Sequence, residues 1–244
     1  MKKSENDILI VGHRGASAIA PENTLKAFKK AIELNADYVE FDVQETRDGK
    51  LVVTHDNDVK RITGQDGLIT DMTLEELRKL DFGENERIPT LEELVSLTKN
   101  KISLNCEIKV KGIAEKVLRV FREFNVLETT IVSSFIHDEL LKFASLAPSL
   151  KLASLEPTAG IMKIDWDKKK AMIQYCIDND LYAINPIVMM VDQQFVDFAH
   201  DNNIKVFPWT VDSKVSIKKL IRFGVDGIIT NDIVRVKYIL QSFS

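Results

Sequence analysis

The chain has 244 residues, 45% hydrophobic and 29% charged, the balance of a globular chain with enough apolar surface to bury a large core. Its 33 Lys and Arg against 37 Asp and Glu leave a net charge of −4, which argues against nucleic acid or an anionic membrane surface as the main partner. Two distant cysteines, Cys106 and Cys176, exclude a disulfide framework and a thiolate zinc site.

Before Gly12-His13 only Ile8–Val11 is apolar, too short for the core of a signal peptide. No stretch approaches a membrane span, so a cytoplasmic chain without stable membrane association is expected. Ile8–Val11 reads as the first strand, and Asn23–Leu34 as a helix entered through Pro21 with Asn23 or Thr24 as its cap. Further strand-like runs follow at Asp37–Val43, Ile102–Ile108, Thr130–Phe135, Leu150–Leu155, Tyr182–Asn185, Ile204–Val211 and Val225–Thr230. Amphipathic runs separate most of them, at Ile113–Phe124, Asp138–Leu146, Lys168–Asn179, Gln193–Asn202, Lys214–Phe223 and Ile233–Leu240. Eight such units predict a (β/α)8 TIM barrel rather than a doubly wound sheet, and no glycine-rich phosphate loop opens the first helix.

One stretch departs from the alternation. Asp48-Gly49 between two strand-like runs predicts a hairpin that folds Leu51–Thr54 back on the second strand. The polar stretch 57–100 then carries short helical patterns at Leu74–Leu80 and Leu91–Lys99. It reads as a small subdomain inserted into a single barrel domain, too small to bury a core of its own.

Within Tyr38–Val43, strand alternation puts Glu40 and Asp42 on one face and Val39, Phe41 and Val43 on the other. The apolar face must pack beneath the helices, which points both carboxylates into the barrel mouth. The same rule sets Asn105, Glu107 and Lys109 on the inner face and Cys106 and Ile108 on the outer. Glu40, Asp42 and Glu107 form an oxygen-rich cup suited to one divalent cation, Mg²⁺ or Ca²⁺ with Mn²⁺ as a third choice. The plainer alternative is a buried ion bridge between Glu40 and Lys109, with Asp42 capping a turn.

His13 ends the first strand and His55 the hairpin strand; aimed at one mouth, they make an acid–base pair. His137 and His200 read as surface or capping residues. Arg14 offers a planar fork for phosphate oxygens and Lys109 a point charge. Neither Cys106 nor Ser133-Ser134 has the local partner of a nucleophile. Glu22 and Asn23 read first as helix-start residues. Trp209, expected to face as Phe207 and Val211 do, and Phe135 read either as an apolar wall for substrate or as rim packing. Asp56 either orients His55 or is a solvated turn residue.

Together, His13-Arg14-Gly15, Pro21-Glu22-Asn23-Thr24, Glu40-Phe41-Asp42-Val43, Val53-Thr54-His55-Asp56, Glu107-Ile108-Lys109, Trp209-Thr210-Val211-Asp212 and Gly224–Thr230 resemble the glycerophosphodiester phosphodiesterases, from about Gly12 to Asp232. The resemblance implies a barrel with an insertion after its second strand and a cation held by Glu40, Asp42 and Glu107. It implies catalysis by His13 and His55, with phosphate held by Arg14 and Lys109. The expected reaction turns a glycerophosphodiester, the small-molecule partner, into sn-glycerol 3-phosphate and an alcohol through a cyclic phosphate. Related barrel phosphodiesterases acting on lysophospholipids or phosphoinositides, a metal-dependent sugar isomerase or aldolase, and a non-catalytic phosphate-binding protein are the alternatives.

Overall fold

The repeated strand–helix pattern dictates parallel pairing, because each crossover helix returns the chain to the same end of the sheet. The computed structural model describes residues 8–158 and 165–242; the stretch Met1–Asp7, part of the N-terminal reading, lies outside them. Eight parallel strands form the wall: β1 (Leu9–Gly12), β2 (Tyr38–Glu45), β4 (Ser103–Ile108), β5 (Thr130–Ser134), β6 (Lys151–Glu156), β7 (Ala183–Pro186), β8 (Lys205–Val206) and β9 (Gly227–Thr230). They run in the order β8-β7-β6-β5-β4-β2-β1-β9. Backbone bonds from Asp226 N–H to Val206 O (3.0 Å) and from Ile229 N–H to Pro208 O (3.0 Å) bridge the β8–β9 seam. The fold is a (β/α)8 barrel. The short β3 (Leu51–Val53) pairs antiparallel with the upper half of β2, Val43 opposite Val53, as the Asp48-Gly49 turn requires.

Alternation sorts the strand residues into two apolar layers. Val11, Ile131, Ala153, Ala183, Phe207 and Ile229 fill the barrel interior. Val39, Phe41, Val43, Leu104, Cys106, Ile108, Val132 and Ile184 face outward. There they meet the ring of helices α1 (Leu25–Glu33), α4 (Leu91–Thr98), α5 (Ala114–Glu123), α6 (His137–Leu146), α7 (Trp166–Asp178), α8 (Gln193–Asp201), α9 (Lys214–Phe223) and α10 (Ile233–Gln241). No helix among the described residues is long and apolar enough to cross a membrane.

Three details differ from the sequence expectation. β8 is two residues long rather than eight, with looser pairing beyond it, where Phe207 N–H donates to Ile184 O and Trp209 N–H to Pro186 O (both 3.0 Å). The alternation is lost after Trp209: Val211 packs in the outer core while Phe207 and Trp209 stay with the inner cluster, so the shared face expected for the three residues does not form. Leu91, Leu94 and Val95 of α4 belong to the main core, and α4 packs beside α1 and α5. It is the crossover that parallel β2 and β4 require, so the segment outside the barrel ends near Pro89, not at 100. That segment, with α2 (Lys60–Thr63) and α3 (Leu74–Leu77), also has a core: Val59, Ile69, Leu77, Phe82 and Ile88 are buried against Val52 of β3. The hairpin strand supplies the wall that the segment alone lacks.

Candidate active site

The register of β2 against β4 sets Asp42 opposite Glu107 and Glu40 opposite Asn105. One oxygen from each of Glu40, Asp42 and Glu107 can be chosen so that all three lie within 4.8 Å of one another. Burial, then the neighbouring carboxylates Asp42 and Glu107, push the Glu40 carboxyl well above its usual range. Burial and the Asp42 charge lift Glu107 to about 7. Burial alone would also raise Asp42, but Lys109, His55 and Arg14 outweigh it and hold that carboxyl low. Lys109 Nζ lies 2.7 Å from Glu107 and 3.5 Å from Asp42. It therefore pairs with these two rather than in the expected bridge to Glu40, which accepts the Arg14 backbone N–H at 2.8 Å.

Asp42 caps no turn. It is fully buried, accepts a hydrogen bond from Asn23 Nδ2 (2.8 Å) and lies 3.6 Å from Arg14 Nε. Three buried carboxylates, with Asp42 Oδ1 facing Lys109 Nζ at 3.5 Å but hydrogen-bonded to none of the described residues, fit a hard divalent cation: the donors are all oxygen, and a cation relieves the repulsion that adds to burial in raising Glu40.

The turn after β1 places His13 and Arg14. Arg14 and Gly15 both take left-handed conformations (φ 55° and 84°). A Cβ on Gly15 would stand 2.8 Å from the Ala27 backbone carbon, so helix α1 approaches too closely for any other residue. His13 Nδ1 donates to Asn231 Oδ1 (2.7 Å), and Asn231 Nδ2 donates in turn to Asp212 Oδ2 (2.6 Å). His13 Nε2 is left 4.0 Å from Glu40. Burial and the adjacent Arg14 charge lower its pKa, favouring a neutral ring. His55 is arranged the same way: its Nδ1 donates to Asp56 Oδ1 at 2.6 Å, and Gln44 Nε2 donates to its backbone carbonyl at 2.8 Å. Asp56 is thus the orienting partner rather than a solvated turn residue. Each of these two histidines has Nδ1 committed and, among the described residues, no hydrogen bond at Nε2.

Glu22 and Asn23 do more than start a helix. Thr24 is the cap of α1, its hydroxyl accepting from Ala27 N. Asn23 has φ 57° and holds Asp42. Glu22 accepts from Arg14 Nη1 at 2.8 Å. Arg61 of α2, which no local pattern singled out, donates from Nη2 to Glu22 (2.7 Å) and from Nε to Asp56 (2.5 Å). Burial would raise the Glu22 carboxyl, but the hydrogen bonds and charges of Arg61 and Arg14 bring it below its usual range.

His13, Arg14, Glu40, His55 and Glu107 line one pocket of about 500 Å³, partly open to solvent. Phe135 and Trp209 line it too, edge to face at 5.6 Å, with Trp209 Nε1 donating to Asn185 O (2.9 Å). The two aromatics form a pocket wall as well as rim packing. Asp42 and Lys109 stand behind this lining. Asn105, Ser133 and Asn185 add polar groups that the sequence reading left without a role, and among the described residues the buried Asn185 amide has no hydrogen-bond partner on either atom. His137 and His200 are not plain surface residues. His137 stacks on Tyr175 (4.4 Å) with Nε2 3.3 Å from buried Glu156, and His200 lies 2.7 Å from buried Asp226.

Known proteins share this arrangement of chain. A "Glycerophosphodiester phosphodiesterase" of Caldanaerobacter subterraneus is 42% identical over 237 residues, 92% of this chain and 94% of the relative. The crystal structure of the Thermotoga maritima glycerophosphodiester phosphodiesterase superposes with a TM-score of 0.77 at 30% identity, covering 93% of this chain and 95% of that one. An Oleispira antarctica phosphodiesterase, solved with the product sn-glycerol-3-phosphate, gives a TM-score of 0.81 at 26% identity, with 96% of each chain covered. The model of the glycerophosphoryl diester phosphodiesterase family matches residues 13–235, and this chain belongs to that family.

Proposed function

We propose that the chain hydrolyses glycerophosphodiesters to sn-glycerol 3-phosphate and an alcohol, with one divalent cation, Mg²⁺ or Ca²⁺ (or Mn²⁺), held by Glu40, Asp42 and Glu107. The observation that carries this reading is the pair of histidines on one pocket wall, each with Nδ1 tied and Nε2 bonded to none of the described residues, beside the acidic trio. The product held by the Oleispira antarctica phosphodiesterase supports the same substrate class.

When bound, the cation supplies Lewis-acid polarisation and lowers the pKa of a substrate hydroxyl. Arg14 and Lys109 hold the phosphate charge. A neutral imidazole, His13 or His55, takes the proton of the glycerol hydroxyl as that oxygen attacks phosphorus. The other ring donates a proton to the departing alcohol, and a cyclic phosphate forms. Water then opens the ring with the two histidines exchanging roles. Phe135 and Trp209 wall the carbon chain of the substrate, and the Asn185 amide, unpaired among the described residues, is available to one of its hydroxyls. Cys106 and Cys176, both buried and free, suit a reducing cytoplasmic setting.

Phosphorus NMR with glycerophosphocholine and glycerophosphoethanolamine, run with Mg²⁺, with Ca²⁺ and with EDTA, tests the reading. The expected result is glycerol 3-phosphate that stops forming in EDTA. A diester lacking the attacking hydroxyl should resist cleavage, and its normal turnover would replace the cyclic route with direct attack by water.

A further inference from the structure

Residues 57–89 fold round a small core closed by Val52 of β3, yet none of them lines the pocket. Their contact with the site is Arg61. One guanidinium joins two carboxylates from separate elements: Nε to Asp56, just after β3, and Nη1 and Nη2 to Glu22, just before α1 (3.1 and 2.7 Å). Each carboxylate uses its other contacts on a pocket residue, Asp56 on His55 Nδ1 (2.6 Å) and Glu22 on Arg14 Nη1 (2.8 Å). An exposed ion pair on its own stabilises little. This one differs in geometry, because a planar fork fixes direction as well as distance and both partners pass that direction on.

We infer that Arg61 is a positioning residue, and that the inserted segment serves the reaction by delivering it. Through Asp56 it sets the His55 ring, and through Glu22 it sets the Arg14 guanidinium, so the proton-transfer group and the phosphate-holding group are aligned as a unit. A lysine at 61 keeps the charge but cannot make both contacts in one plane. The inference rests on the phosphodiesterase reading for its kinetic consequence, though not for its structural one.

Arg61→Ala and Arg61→Lys, assayed in Mg²⁺ with glycerophosphocholine, should each lower kcat by about 10–100-fold, the usual effect of removing a partner that orients a reacting group. KM should rise as well, because Arg14 loses its clamp. Millimolar guanidinium should restore much of the Arg61→Ala activity, methylammonium should not, and the melting temperature should hold, since Arg61 is half exposed. In parallel, long-range proton–nitrogen NMR of the imidazoles, assigned with His55→Gln, should show the His55 Nδ1 signal displaced in both variants. Kinetic constants within twofold of wild type, lost activity that guanidinium leaves unrestored, or an unmoved His55 signal overturns the inference. A wild-type protein inert toward glycerophosphodiesters overturns the functional reading alone, and the His55 signal then decides the role of Arg61.

Discussion

A histidine serves as a proton shuttle only when one ring nitrogen is committed and the other is left to the substrate. His13 meets that condition through the amide of Asn231, and His55 through the carboxylate of Asp56. His13→Ala or His55→Ala should lower kcat by about 10²–10⁴-fold with the melting temperature unchanged, measured by glycerol 3-phosphate release and calorimetry. Unaltered turnover in both variants removes the acid–base assignment.

A second residue-scale prediction concerns Glu156. Buried under His137 from α6, with Asp138 beside it and Tyr175 of α7 against the same ring, it is pushed by burial from 4.5 to about 7. The folded state therefore holds a proton that the unfolded state gives up first. This contribution is complete below about 4.5 and is lost as the pH rises through about 7. Glu156→Gln keeps the neutral form at every pH, so its melting temperature relative to wild type should climb between pH 5 and 8.

At the scale of elements, the β1–α1 turn sets His13 and Arg14, and Gly15 sets the turn. Gly15→Ala adds left-handed strain of about 1–2 kcal/mol and a clash with Ala27, so the protein should melt several degrees lower. Activity should fall further than stability, because the displaced turn carries two site residues. The sequence carried the strands, the hairpin and the acidic trio, since a charge at every second position of an apolar strand marks a direction without reference to the rest of the chain. It did not carry Asn231 or Arg61, nor the role of Asp212 as the partner of Asn231. Asn231 meets His13 across 218 residues and Arg61 meets Glu22 across 39, and no local period encodes either contact. Asn23 misled because an asparagine before a helix has the composition of a cap, while the neighbouring Thr24 does the capping.

On the scale of the whole molecule, the barrel is assembled around a repulsion. Glu40, Asp42 and Glu107 converge from two adjacent strands, with Lys109 and Arg14 nearby as partial compensation. Glu40→Gln should raise the melting temperature in EDTA and weaken Mg²⁺ binding in calorimetry. The rise in melting temperature that Mg²⁺ gives the wild-type protein should shrink correspondingly. An Mg²⁺ response equal in both proteins would falsify the assignment of the trio as cation ligands.

Cys106 stands between Asn105 and Glu107 on β4, its side chain turned into the outer core and wholly shielded, with a thiol that burial lifts far above its ordinary pKa. A thiol so placed reacts with an alkylating reagent only when the wall itself parts. The protein thus carries an internal clock: the labelling rate of Cys106 counts openings of the very strand that bears Glu107. Whatever neutralises the acidic trio should slow that clock before any change of shape is visible.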